Sequence, residues 1–228
     1  MHTLIHHPLC AASRSVRLAL AECGEAFVLR EERPWAWRAE FLELNPAGST
    51  PVLLTANGVA LCGAYAISEF VAETAPSSPS NRYGLFPGSA EERAEARRLS
   101  DWFHRKFYDE VTLYLVEDKL FGALSRQGAS VEPALLRAAR DNLRYHLSYV
   151  GHLMEQRRWL AGPTLSFADL AAAGHLSALD YLGEVPWEEF PAAKDWYARL
   201  KSRPSFRPLL EDRAPGVPPH PSYADLDF

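Results

Sequence analysis

The chain has 228 residues and a formal net charge of −5 at neutral pH, which excludes nucleic acid as the main partner, because phosphate binding needs a concentrated basic surface. An apolar fraction of 47% is enough for packed cores in one large or two ordinary domains, yet no apolar run approaches the ~20 residues that span a bilayer, so direct membrane insertion is not expected. The opening Met1-His2-Thr3-Leu4-Ile5-His6-His7 lacks the basic and apolar regions of a signal peptide, and three cysteines without close metal-like spacing fit reduced thiols, so a cytoplasmic protein is expected.

Thr3 to His7 reads as a short strand broken by Pro8. Ser13 can cap a helix running to about Cys23, with Gly24 as its left-handed stop. Val16, Ala19, Leu20 and Cys23 recur at i, i+3, i+4 and i+7, which is one buried helical face. Ala26 to Arg30 reads as a second strand, so the opening β-α-β implies parallel pairing. Pro34 to Leu44 is Trp-rich and irregularly helical. Asn45-Pro46-Ala47-Gly48 ends it, because Pro46 disfavours helix at Asn45 and Gly48 can take positive φ. Pro51 then opens a strand, where a missing N–H is tolerated, and is a candidate for a cis bond. Pro51 to Thr55 and Val59 to Cys62 flank Asn57-Gly58 and form a hairpin. Ala64 to Thr74 is a helix with Ile67, Phe70, Val71 and Thr74 on one face.

Composition changes at Pro76-Ser77-Ser78-Pro79-Ser80-Asn81, which cannot continue a helix, and everything after it reads as helical. Ser89-Ala90-Glu91-Glu92 is a capping box opening a helix that continues to Gly122. This helix carries Trp102, Phe103, Phe107, Tyr108, Tyr114 and Phe121; those that cannot fit one inward stripe are candidates for a dimer face. Ser130 to Gln156 is a second amphipathic helix with Leu136, Leu143, Leu147, Val150 and Met154 inward. Ser166 caps the next, with Asp169 at N3 and Leu165 and Leu170 as the flanking staple. Pro191 and Pro204 sit where first-turn prolines would start two short final helices. Beyond Arg213 prolines extend the chain.

The segment Asn45-Pro46-Ala47-Gly48-Ser49-Thr50-Pro51-Val52-Leu53 resembles the N-P-x-G-x-x-P-V-L segment of the glutathione transferase superfamily, and the resemblance extends over most of the chain. It implies an α+β architecture, a thioredoxin-like domain followed by an all-α domain. Residues 1–75 are the first domain, 76–88 a linker, 89–212 the helical domain and 213–228 an extended tail. It also implies that Pro51 is cis and that its neighbour Thr50 offers backbone hydrogen bonds to the glutathione peptide.

Cys10 lies between the first strand and the first helix, where the helix dipole lowers a thiol's pKa. In several classes of the family the nucleophile has that register, and Cys10-Ala11-Ala12-Ser13 resembles a monothiol C-x-x-S site; a small, partly buried thiol without a role is the equal alternative. The position that decides between them is Gly63-Ala64. Family members that use glutathione carry an acidic residue and a serine there, whose side chains hold the γ-glutamyl group. Neither Gly63 nor Ala64 can hydrogen-bond through a side chain. Losing two bonds to charged groups, at about 1.5–3 kcal/mol each, would weaken the tripeptide by roughly two to four decades. Cys10, Ser13, Thr50, Pro51, Gly63 and Ala64 are therefore expected to form a vestigial glutathione site, with no catalytic residue and no cofactor.

Two stretches look like surfaces for a partner. Arg33-Pro34-Trp35-Ala36-Trp37-Arg38 places Trp35, Trp37 and Arg38 beside the groove, and Trp and Arg are the commonest interface anchors; the alternative is that at least one tryptophan fills the gap between the domains. Asp225-Leu226-Asp227-Phe228 alternates acid with apolar groups, a pattern that suits docking on a partner or back across the N-terminal domain. With His6-His7-Pro8-Leu9 and Gly63-Ala64, this ending resembles the alphaproteobacterial cell-division branch of the superfamily that binds the tubulin homologue FtsZ. That likeness implies a homodimer at the division site that binds FtsZ polymer and promotes its curvature or bundling without enzymatic activity. It also implies partner contacts near the groove and at the C-terminus. The alternative is a glutathione-dependent transferase or thiol transferase using Cys10 with Ser13. No metal site is expected, because His6 and His7 point to opposite faces and His104, His146, His152 and His175 form no ligand pattern.

Overall fold

The computed structural model describes residues 1–75, 84–226 except 123–130, and, within 118–122, the backbone alone. The boundary at 76–83 thus lies outside the described residues, as do Asp227 and Phe228 and the side chain of Phe121. The expected architecture is present: a mixed four-stranded sheet with its helices, followed by a helical bundle. Strand β1 (His2–His6) pairs in parallel with β2 (Phe27–Glu31) and antiparallel with β3 (Val52–Leu54), which pairs with β4 (Ala60–Cys62), giving the order β2-β1-β3-β4.

Alternation along the strands sends neighbouring side chains to opposite faces. Leu4 and Leu53 join the core shared with α1 (Ala11–Cys23) and α3 (Ala64–Thr74), while Ile5 and Val52 pack on Phe41 from α2 (Ala39–Leu44). The hairpin turns at Gly58, whose φ is +82°, and Gly24 ends α1 in the left-handed region at +74°. The Thr50–Pro51 bond is cis.

Three local expectations are corrected. Ser13 does not cap α1: the turn closed by Cys10 N–H on the His7 carbonyl starts the helix at Ala11, with Cys10 at the N-cap and Ser13 buried inside. Thr74 is exposed, and α3 instead buries Ala64, Ile67, Ser68 and Val71, because only the side that faces α1 is covered. Pro204 lies in a turn; the last short helix, α9 (Arg207–Leu210), carries Pro208 in its first turn.

The helical domain opens at Ser89, whose hydroxyl accepts from Glu92 N–H at 3.3 Å while Glu92 Oε2 accepts from Ser89 N–H at 2.7 Å. Helix α4 (Ala90–Asp101) continues into α5 (Trp102–Gly122), wound in the wider i→i+5 form. Phe103, Phe107, Val111 and Leu115 form its buried stripe, with Thr112 and Val116 buried beside the last two. Helix α6 (Pro133–Gln156) follows, burying Leu143, Leu147, Val150 and Leu153, with Leu136 and Met154 at its partly buried margin.

Helix α7 (Phe167–Tyr181) is buried on every side and crosses α1. Gly174 permits that crossing, since a Cβ there would meet the Ala11 carbonyl oxygen at 2.5 Å. Its start is fixed by Asp169, which accepts from Leu160 N–H at 2.8 Å, Ser166 N–H at 3.0 Å and Trp196 Nε1–H at 3.0 Å. Helix α8 (Pro191–Lys201) begins at its expected proline. No described helix is long and apolar enough to cross a membrane.

Candidate functional site

Where the sheet meets the helical bundle there is a cleft of about 290 Å³, lined by Cys10, Thr50, Pro51, Gly63, Ala64 and the helical-domain residues described below. Each element contributes its end: Cys10 caps α1, the cis peptide precedes β3, and Gly63 caps α3. Gly63 N–H donates to the Pro51 carbonyl at 2.9 Å, and its φ of +86° is a conformation that favours glycine. Five of the six residues expected in this site therefore come together, and Ser13 stands behind them in α1 rather than in the lining.

Cys10 is half-buried, with Sγ 3.5 Å from the Thr50 carbonyl oxygen. Burial pushes its thiol above the ordinary range. The expectation of a lowered thiol pKa is thereby overturned: desolvation of the thiolate outweighs the helix N-terminus. Alkylation of Cys10 by iodoacetamide, followed by peptide mass spectrometry, is expected to be slower at pH 7 than that of a free thiol and to accelerate as pH rises past 9. Rapid labelling at pH 7 would show a thiolate.

The opposite wall comes from the helical domain. Tyr108 Oη donates to Glu117 Oε2 at 2.8 Å, and Tyr65 on α3 donates to Asp101 at 3.2 Å. Behind them His104 Nδ1 lies 3.2 Å from His175 Nε2, and His175 Nδ1 lies 2.7 Å from the Thr112 hydroxyl. Burial depresses both imidazoles, His104 to about 4, so both are neutral at physiological pH. Sequence reading missed Tyr65, His104, Tyr108, Glu117 and His175 as cleft residues. Only the i, i+4 spacing of His104 and Tyr108 could have placed any two of them on a shared stripe. Among the described residues no group of three or more His, Cys, Asp or Glu could hold a metal ion.

Trp35, Trp37 and Arg38 do not line the cleft. Trp35 is partly buried and meets His7 edge-on at 5.2 Å. Trp37 is 64% exposed, so it does not fill an interdomain gap. It sits at φ +47° after the short 3₁₀ turn Pro34–Ala36, with its ring close above Gly48, where a Cβ would lie 2.9 Å from it. Arg38 holds the buried Glu32 carboxylate through two hydrogen bonds and keeps it below the usual carboxylate range. The loop therefore presents an exposed aromatic ring on a braced turn.

The tail is not a free extension. His220 N–H donates to the Tyr181 carbonyl at 2.8 Å, and Tyr223 is buried against Arg14. Of the four terminal residues expected to bind a partner, Asp225 and Leu226 are exposed, and Asp227 and Phe228 lie outside the described residues.

The family model for the glutathione S-transferase N-terminal domain matches residues 9–74, and that for the C-terminal domain matches residues 112–204. FtsZ-localized protein A of Caulobacter vibrioides is 48% identical over 99% of this chain and 98% of its own length. The crystal structure of a glutathione S-transferase from Sinorhizobium meliloti superimposes with a TM-score of 0.93 at 48% identity, covering 100% of both chains. The structure of FzlA from C. crescentus does so with a TM-score of 0.93 at 48% identity, covering 100% of this chain and 99% of that one. With these matches, the cis Thr50–Pro51 bond and the cleft between sheet and bundle, the chain belongs to the glutathione S-transferase family.

Proposed function

We propose that this protein is a non-enzymatic cell-division protein that binds FtsZ polymer as a homodimer in the cytoplasm, at midcell, and promotes filament curvature or bundling. The observation that carries this reading is the near full-length, 48% identity to FtsZ-localized protein A. The site agrees with it: Gly63 and Ala64 have no polar side chain for a glutamyl group, and Cys10 is held as a thiol. The partner-binding residues are Trp35, Trp37 and Arg38 on the braced loop and Asp225, Leu226, Asp227 and Phe228 at the terminus. A dimer would offer two such surfaces at fixed spacing, and bivalency raises effective concentration along a filament. Trp102 and Tyr149, whose tilted rings meet at 4.9 Å on the partly exposed side of α5 and α6, suit the face between protomers. No cofactor, metal, nucleic acid or membrane insertion enters this function.

Asp227→Lys is expected to abolish co-sedimentation with polymerised FtsZ while the dimer remains intact by light scattering. Unchanged pelleting would remove the terminus from the binding surface.

A second reading, a glutathione-dependent transferase or thiol transferase using Cys10, is favoured by one observation: Cys10 opens into a cleft beside a cis-proline. It requires disulfide exchange activity that Cys10→Ala eliminates.

A further inference from the structure

Between Ala214 and Tyr223 the chain has neither a helix nor a sheet partner beyond one bridge, Ala214 to Val217, and yet it is pinned at three places. Tyr181 Oη accepts from Ala214 N–H at 3.0 Å and donates to the Val217 carbonyl at 2.7 Å. The Tyr181 carbonyl accepts from His220 N–H at 2.8 Å. The third pin is Tyr223, 1% exposed, whose hydroxyl accepts from Arg14 and donates to the Leu209 carbonyl at 2.8 Å. Its ring meets Tyr181 edge-on at 5.1 Å and has Lys201 Nζ 5.7 Å from its centroid. Immediately after this buried anchor, Ala224, Asp225 and Leu226 are exposed.

We propose that Tyr223, seated on Arg14, is a latch that fixes how the exposed end of the chain is offered to a partner filament, a positioning residue that never touches the filament. This rests on the reading of the terminus as part of the FtsZ-binding surface. A terminus on a pinned stalk has already lost most of its conformational freedom in folding, whereas a loose one loses it on binding, at the expense of affinity. The anchor is internal to one chain, so the stalk is set before any filament is met.

The test is hydrogen–deuterium exchange and FtsZ co-sedimentation on full-length wild type, Tyr223→Ala and Tyr223→Phe. Tyr223→Ala is expected to speed exchange across 214–225 by about tenfold or more while α1 and α7 stay protected, and to raise the concentration for half-pelleting by about tenfold. Tyr223→Phe keeps the ring and loses both hydrogen bonds, so it should fall between. Faster exchange with wild-type pelleting would overturn the latch as a determinant of binding, and unchanged exchange would overturn it as an anchor. If Tyr223→Ala also deprotects α1 and α7, Tyr223→Phe decides alone: intermediate values in both readouts support the latch, and wild-type values overturn it. Should wild type itself fail to pellet, the FtsZ reading falls and takes the latch with it. Failure of the latch alone leaves wild-type pelleting, and its loss in Asp227→Lys, in place.

Discussion

Arg14→Met is expected to lower the stability of the protein by about 3–5 kcal/mol, the range for removing one partner of a buried charged network. Arg14 is fully buried. Its guanidinium donates to the Ser177 hydroxyl and the Pro8 carbonyl, both at 2.7 Å, to Asp212 Oδ2 at 3.1 Å, to the Leu209 carbonyl at 3.3 Å and to Tyr223. One side chain thus ties the loop before Cys10, helix α7, helix α9 and the tail together. Methionine fills similar space and leaves the Pro8 carbonyl and Tyr223 without their charged donor. Asp212 keeps Arg17 at 2.7 Å, which limits the damage. At roughly 2–4 °C per kcal/mol for a chain of this size, the thermal midpoint by circular dichroism should fall by roughly 6–20 °C. Arg105→Ala is the control: its ion pair with Asp101 is solvent-exposed, and the midpoint should not move. A fall of less than about 2 °C for Arg14→Met would mean that the network contributes little beyond its packing.

That network marks the division between what was legible in the sequence and what was not. Gly24, the Asn57-Gly58 turn, the bounds of the Ala64–Thr74 helix and the Ser89 and Ser166 capping boxes are dictated by residues within a few positions of one another, and all five stand as read. Ser13 misled because its hydroxyl is a good cap, whereas the observed cap three residues earlier, Cys10, has a poor capping side chain and a turn closed by the backbone alone. Nothing local marks Tyr223 as an anchor, since its partner Arg14 stands 209 residues away. The cleft divides in the same way. Its sheet-side wall comes from three short segments, around Cys10, Thr50-Pro51 and Gly63-Ala64, each marked by the family resemblance, whereas Tyr108, Glu117 and His175 reach it only through helix packing that no local pattern encodes. The Cys10 thiol is the sharpest instance: position at a helix start is local, but the burial that raises its pKa belongs to the whole domain contact.

The other large effect concerns the cleft itself. Wild type is expected to give no saturable heat with glutathione in calorimetric titrations reaching tens of millimolar, and the double variant Gly63→Glu/Ala64→Ser is expected to bind it more tightly by roughly two to four decades. Two restored hydrogen bonds to charged groups, at about 1.5–3 kcal/mol each, set that range. The site can receive them: a Cβ at Gly63 meets nothing within 4 Å, and Gly63 remains held by the Pro51 carbonyl through its backbone. The φ of +86° at Gly63 means that glutamate there is strained, by about 1–3 kcal/mol. Strain present in both free and bound protein cancels from the affinity, so it should appear as a lower thermal midpoint and not as weaker binding. Ala64→Ser alone carries no such strain and should recover about one decade or more. Micromolar binding by wild type would show that backbone donors at the start of α3 suffice without side chains, and would return Cys10 to the role of a nucleophile beside bound tripeptide. A double variant that folds and still fails to bind would place the obstacle on the helical-domain wall, where the Glu117 carboxylate faces the same cleft.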